Sequence, residues 1–304
     1  MGIYYIDRET GEKIKEKVPG YLVLRWLYGS ISGNLALFTL LRRKLFSRLV
    51  GAWQNLPLSR RKIKPFVEHH QINMSEAEIS DIKTYRTFNE FFIRRLKEEA
   101  RPIDDEPESL AAPADGKLLA YQEIDTEKVV QIKGLNYSLA ELLGDRNKAQ
   151  LYQGGTKVIV RLAPADYHRF HFPDSGVIKE MKQIKGQYRS VSPIALEKTI
   201  RLYCQNKREI TEIDTDHFGT MEYIEVGATC VGTIFQSRSV GDSVEKGEEK
   251  GYFAFGGSTV ILFFQKDQVI IDEDLIHNTQ AGIETKVQMG EKIGSKYKTD
   301  SVKA

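Results

Sequence analysis

The chain is poor in cysteine, in tryptophan and in long apolar runs. Its two cysteines, Cys204 and Cys230, have no C-x-x-C spacing, which argues against a paired redox motif, a zinc ribbon or a disulfide-stapled scaffold. Both are expected to be small buried hydrophobes. No stretch of about 20 nearly uncharged apolar residues occurs, so no membrane-spanning helix is expected. The opening "MGIYYIDRETGEK" has no basic segment followed by an apolar one, and Ile6 stands where a myristoylation signal needs Ser or Thr. A reducing cytoplasmic setting is therefore expected. Charge of one sign is also scarce: a formal net charge of +2 gives no reason to expect a nucleic-acid partner.

With 304 residues, 41% hydrophobic and 28% charged, the composition is that of a globular chain with one sizeable core and an appendage, or of two domains. Its character changes near residue 104. Before that point, Leu24, Leu27, Tyr28, Ile31, Leu35, Phe38, Leu41, Leu45 and Leu49 recur in steps of three and four, an amphipathic helical stripe. From Arg42 to Pro65 there are eight Lys or Arg residues and no Asp or Glu. Trp26, Tyr28 and Trp53 suit the headgroup level of a bilayer, and Arg42, Arg43, Lys44 and Arg48 suit anionic lipid, so a helix lying on a membrane surface competes with one packed on its own domain. Ser75 to Glu78 and Thr87 to Glu90 read as capping boxes, the second opening a helix that ends before Pro102.

Beyond residue 104 the period becomes two, in "KLLAYQEI", "VVQIK", "TKVIVRLA", "MEYIEVGATCVGTI" and "GSTVILFF". Helical patterns are limited to Ser138–Leu143 and Pro193–Ile200. The expected fold is α+β: a helical, membrane-associating region over residues 1–103, then a β-rich domain over 104–304. The run "VGTIFQSRSVGDSVEKGEEKGYFAFGGST" has the hairpin rhythm of biotinyl and lipoyl carriers, but no lysine sits in a carrier setting at its tip.

Two glycines and a serine at Gly256, Gly257 and Ser258 immediately precede the most hydrophobic segment of the C-terminal half. A turn or bulge explains them simply. The alternative is a backbone carbonyl left open to attack by the neighbouring hydroxyl, which needs a base and a group to orient that base. His69, His70, His217 and His277 read as surface or structural residues. His168 and His171, in "APADYHRFHFP", are the candidate bases. Their spacing also suits a metal pair, but no third ligand is evident and no metal is expected. Asp115, in "PADGK", is the candidate orienting carboxylate, although Asp-Gly is also a common turn.

These segments in order, "FNEFFIRRLKEEARPI", "PADGK", "IKGLNYSLAELLG", "YHRFHFP" and "GGST", resemble the phosphatidylserine decarboxylase family over most of the chain beyond residue 88. Gly256 stands where many members have Leu. The resemblance implies a self-processing enzyme: His171, oriented by Asp115, takes the proton of Ser258, whose oxygen attacks the Gly257 carbonyl. The chain is cut between Gly257 and Ser258, and Ser258 becomes a covalent pyruvoyl cofactor. That group condenses with the substrate amine and acts as an electron sink. His168 is then the acid that reprotonates the α-carbon, while Gly256, Thr259 and Phe255 flank the cofactor. The implied substrate is phosphatidylserine, the product phosphatidylethanolamine, and the implied partner is an anionic membrane at the cytoplasmic face of the cell membrane. The two cleavage products would stay together as a heterodimer. A pyruvoyl decarboxylase of a soluble amino acid, or a non-enzymatic carrier-like domain, are the competing readings.

Overall fold

The computed structural model describes residues 3–18, 21–30, 32–33, 50–132, 135–199, 201–228, 234–254 and 258–298. Strands β1 (Tyr4–Asp7) and β2 (Lys13–Lys15) open the chain, followed by helices α1 (Tyr21–Gly29), α2 (Ile63–His70) and α3 (Phe88–Phe92). Next come β3 (Ser109–Ala111), β4 (Gly116–Tyr121), β5 (Val129–Ile132) and β6 (Leu135–Tyr137), then α4 (Leu139–Leu143) and α5 (Arg146–Gln150). β7 (Thr156–Leu162), β8 (Arg169–His171) and β9 (Gly176–Ile184) lead to α6 (Pro193–Lys198) and α7 (Leu202–Gln205). The remainder is β10 (Arg208–Thr215), β11 (Gly219–Gly227), β12 (Ile234–Gln236), β13 (Ser243–Val244), β14 (Glu249–Phe253), β15 (Ser258–Phe264), β16 (Val269–Ile271), α8 (Glu273–Gln280), β17 (Glu284–Val287) and β18 (Lys292–Lys296).

Ten of these strands form one sheet in the order β13-β9-β10-β11-β15-β7-β4-β17-β1-β2. β7 and β15 lie side by side in it, and every residue of both is buried. That accounts for the nearly unbroken apolar runs "TKVIVRL" and "STVILFF", since a strand covered on both faces has no polar side to show. Alternation divides the side chains between two cores. Val158, Val160, Leu162, Val260 and Leu262 pack on one face with Phe170, Phe172 and Phe253. Ile159, Ile261 and Phe263 pack on the other with Leu139, Leu142 and Tyr203. The small sheet β12-β14-β8 supplies the aromatic lid of the first core.

The helical reading of the first hundred residues needs correction at its start. Residues 4–15 are two strands, and β1 joins the large sheet by parallel pairing with β17, Tyr5 opposite Glu284. This edge anchors them in the β-rich part of the chain. The expected helix from Thr87 is also much shorter. Thr87 caps it as expected, its Oγ1 accepting the Glu90 N–H at 3.1 Å, but α3 ends once Phe88, Phe91 and Phe92 are buried. Leu96 then bridges Ala77 in extended backbone, which a continuing helix cannot do. At Ser75 the cap is Asn73, whose side chain accepts the Ser75 N–H ahead of a single 3₁₀ turn over Met74–Glu76. By contrast, the capping box at Ser138 and Glu141 is formed in full and starts α4. β12 and β14 do pair antiparallel, and β8 holds the free edge of β14. Residues 34–49, which hold much of the apolar stripe with Arg42, Arg43, Lys44 and Arg48, lie outside the described residues, as does Cys230.

Candidate active site

Ser258 is the first residue of β15 and is held on both sides, opposite Leu162 of β7 and Gly227 of β11. Its side chain shares the face of Val260 and Leu262, under the aromatic lid. The residue is 0% exposed and, among the described residues, its Oγ has no hydrogen-bond partner. A buried hydroxyl left unsatisfied costs about 1–3 kcal/mol.

Both histidines of "YHRFHFP" reach this part of the sheet by topology. β7 ends at Leu162, level with Ser258, and a short loop leads to β8, which pairs with β14 with His171 opposite Glu249. The Phe253 N–H donates to the His168 carbonyl at 2.9 Å. The two histidines therefore lie along β14, the strand that precedes β15 in the chain.

His171 is 8% exposed and fixed through both ring nitrogens. Nδ1 lies 2.9 Å from the Gly247 carbonyl oxygen, which can only accept, so Nδ1 carries the proton. Nε2 then accepts from the Tyr167 hydroxyl at 3.3 Å. Gly247 is required for this arrangement: its φ is +82° and a Cβ there would meet Ile103 Cγ1 at 2.6 Å. Burial lowers the His171 pKa from the ordinary histidine value, and the Gly247 bond and the field of Glu249 offset this only in part. His171 is thus a neutral imidazole with its lone pair on Nε2.

His168 is 0% exposed, and its ring centroid is 4.0 Å from that of Phe92. Its Nδ1 donates to the Asp166 carbonyl at 2.8 Å, which fixes Nε2 as the proton-exchanging nitrogen. The Asp166 carboxylate is gripped by Lys117 Nζ at 2.8 Å and by the Ala163 N–H at 2.7 Å. Burial alone would raise the pKa of this carboxyl, but the charge and hydrogen bond of Lys117 hold it below the ordinary carboxylate value.

Asp115 is buried at the head of β4, but its hydrogen bonds differ from the expected ones. Both oxygens are engaged by Arg101, through Nε at 2.9 and 3.1 Å and Nη2 at 2.7 Å, and Oδ1 also accepts the Met289 N–H at 2.9 Å. No hydrogen bond joins Asp115 to His171 in this structure. The Gly247 carbonyl orients the imidazole, and Asp115 acts on it through its field. The bidentate guanidinium explains why: its planar fork matches a carboxylate better than one imidazole N–H does.

Thr259 is buried opposite Arg161, on the sheet face away from Ser258, so it adjoins Ser258 through the backbone alone. Phe255, Gly256 and Gly257 lie outside the described residues. Sequence reasoning did not single out Tyr167, Gly247, Arg101 or the Lys117–Asp166 pair. Tyr167 and Asp166 stand within the "PADYHRFHFP" run and offered a local signal. Gly247 reaches the site from a distant segment and offered none, and Arg101, although within "FNEFFIRRLKEEARPI", showed nothing in sequence that pairs it with Asp115. Among the described residues, no group of three His, Cys, Asp or Glu side chains is arranged to hold a metal ion.

The sequence model of the phosphatidylserine decarboxylase family matches residues 88–295. A phosphatidylserine decarboxylase proenzyme of Clostridium perfringens is 50% identical over 290 residues, covering 95% of this chain and 98% of the relative. A proenzyme of the same name from Desulfitobacterium hafniense is 48% identical over 296 residues, covering 97% and 99%. That of Clostridium novyi is 48% identical over 281 residues, covering 92% and 95%. A match that takes in α3, the Asp115 turn, both histidines and Ser258, with relatives spanning nearly the whole length, means that this chain belongs to the phosphatidylserine decarboxylase family.

Proposed function

We propose that the chain is a proenzyme that cuts itself between Gly257 and Ser258 and then converts phosphatidylserine to phosphatidylethanolamine and carbon dioxide. The observation that carries this reading is the Ser258 hydroxyl, fully buried and without a hydrogen-bond partner among the described residues, at the head of a central strand, with His171 paired to β14, the strand that precedes it in the chain. A structural serine in such a place would be expected to bond to something. A serine that is to be consumed need not.

His171, neutral and with Nε2 as its basic atom, takes the Ser258 proton. The Tyr167 hydroxyl bonded to that nitrogen at 3.3 Å is a long contact that the serine hydroxyl displaces. The Ser258 oxygen bonds to the Gly257 carbonyl carbon as the peptide C–N bond breaks, giving an ester and a free amine. Loss of the Ser258 α-proton then expels Gly257 as a carboxylate by breaking the Cβ–O bond. Water hydrolyses the resulting dehydroalanine to a pyruvoyl group and ammonia. When present, that group supplies a keto carbon for the substrate amine and a sink for the electron pair that carbon dioxide leaves behind. The burial of Ser258 fits such a group, since its Cβ would become a methyl in an apolar setting and the keto carbon formed at its Cα needs a dry site. His168 delivers a proton from Nε2 to the substrate α-carbon, with its ring held by the Asp166 carbonyl. Arg101 and Asp115 fix the floor beneath His171.

A two-chain lipid stays in its bilayer, so the enzyme must rest on one. Leu22, Val23 and Trp26 of α1 and Trp53, Leu56 and Leu58 are exposed, with Arg60 and Arg61 alongside the second group. Apolar and aromatic groups beside fixed cations suit the surface of an anionic membrane. No described helix is long and apolar enough to cross a membrane.

The test is the intact mass of the purified protein under denaturing conditions, beside Ser258→Ala. Two chains meeting at Gly257, the smaller with the mass of a pyruvoyl terminus, are expected from the wild type and one chain from the variant. A single full-length wild-type chain would remove the reading. Sedimentation with anionic liposomes, with and without residues 1–65, tests the membrane surface, and equal binding by both forms would remove that part.

A further inference from the structure

Arg94 follows α3 two residues after Phe92, the ring packed on His168. Its side chain is 7% exposed. Its Nε is enclosed with no hydrogen-bond partner, and no hydrogen bond or ion pair of the guanidinium occurs among the described residues. The Phe91 ring, 5.1 Å from Cζ, makes a direct contact that favours the charge. Burial lowers the ionisation of the group, while the fields of Tyr85, Asp115 and Asp166 reach it and favour the charge. Neither carboxylate is available to it. Asp115 is taken by Arg101 and the Met289 N–H, and Asp166 by Lys117 and the Ala163 N–H. The Tyr85 hydroxyl donates to the Ile79 carbonyl. A guanidinium buried at Nε with no acceptor among the described residues is costly, and the acceptors named around it have been assigned elsewhere.

We propose that Arg94 is the anion-binding residue of the substrate pocket and that it holds the phosphodiester of the lipid headgroup. The headgroup brings two anions, a carboxylate and a phosphodiester. A guanidinium on the carboxylate would stabilise the ground state of the group whose charge is lost in the reaction, and so slow the step. The phosphodiester keeps its charge from substrate to product. Binding it costs the chemical step nothing, and its oxygens match the planar fork of arginine. Arg94 thus acts by uniform binding, through KM. This inference rests on the decarboxylase reading above.

The experiment uses the self-processed full-length enzyme with phosphatidylserine in mixed micelles. Arg94→Met is expected to raise KM roughly 10- to 100-fold, the value of a lost charge-assisted hydrogen bond, with kcat within about threefold. Arg94→Lys recovers part of the loss. Glycerophosphoethanolamine has the phosphodiester and the amine but no carboxylate, and its inhibition weakens in Arg94→Met by the same factor as KM. An active Arg94→Met enzyme with unchanged KM overturns the proposal. So does a raised KM with unchanged inhibition by glycerophosphoethanolamine, which would put the guanidinium on the carboxylate. Should Arg94→Met fail to process, the wild type still decides: glycerophosphoethanolamine must inhibit at least about tenfold more tightly than ethanolamine, and equal inhibition overturns the proposal. A processed wild type that leaves phosphatidylserine intact sinks the parent reading and this one with it, a result distinct from the others.

Discussion

Two regions of the molecule bury an arginine and treat it in opposite ways. In the large sheet, Arg161 of β7, with β4 between it and β17, is bound by Glu284 at 2.9 and 2.6 Å and by Glu16 at 3.1 and 2.9 Å, so that four carboxylate oxygens meet one guanidinium. At the junction of α3 with β8, Arg94 is as deeply buried and has no such partner. The first region is finished as folded, and its charges tie the N-terminal strands to the sheet. The second leaves Arg94 Nε without a hydrogen-bond partner among the described residues, which the proposed substrate would supply. Burial alone does not separate the two; the fate of the polar atoms does.

The largest break in this contrast is expected at the processing site. His171→Ala should abolish cleavage, leaving one chain by mass, whereas His168→Ala should be cleaved at least in part and lose decarboxylase activity; the reverse pattern would exchange the two roles. Next in size is Arg161→Met, which leaves Glu16 and Glu284 buried without a cation. It should destabilise the protein by about 3–5 kcal/mol in urea unfolding of the uncleaved Ser258→Ala form. A loss under about 1 kcal/mol would show that the network contributes little.

A pH profile gives a smaller effect. Because burial lowers the His171 pKa, the folded protein binds that proton more weakly than the unfolded chain does. Its contribution to stability is full above about 6.5, the unfolded value, and is lost as pH falls through the folded one. The rate of self-cleavage should therefore stay level down through about pH 6.5 and decline only below it. A decline that begins well above this value would mean that another group limits the step. The smallest effect sharpens the comparison from the other side. Arg94→Met, made in the same uncleaved background, should change stability by no more than about 1 kcal/mol in the unfavourable direction, or raise it, since an unpaired buried charge is removed.

The amino-acid pattern carried the strands of the β-rich half well, because their period of two and the apolar runs of β7 and β15 follow directly from burial on one face or on both. It also carried the helical pattern at Ser138–Leu143, where α4 forms, and Thr87 as the cap of α3. The parallel pairing of β1 with β17 joins residues nearly 280 positions apart in the chain, and nothing in "YYID" announces such a partner. Lys157 and Arg161 show another limit: both sit in the fully buried β7, one resting on the Tyr121 ring with its Nζ donating to the Val130 carbonyl, the other in the carboxylate cage. Charge in a strand argues for a solvent face until the partners are known. At the site, Ser258, His168 and His171 could be singled out because their neighbours in sequence are unusual. The Gly247 carbonyl that holds His171 and the Arg101 fork that holds Asp115 come from elsewhere in the chain, and only the fold brings them in.

The place of β15 has one more consequence. It lies between β11 and β7 in the middle of the large sheet, and β16, β17 and β18 follow it in the chain. The proposed cut immediately before Ser258 would make this central element the leading end of a separate polypeptide. The mature protein would then be held by a fold it could no longer regenerate from a single chain, and once unfolded its two pieces would have to find each other in solution. Durability of the mature form would be a matter of how slowly it opens rather than of an equilibrium it can return to.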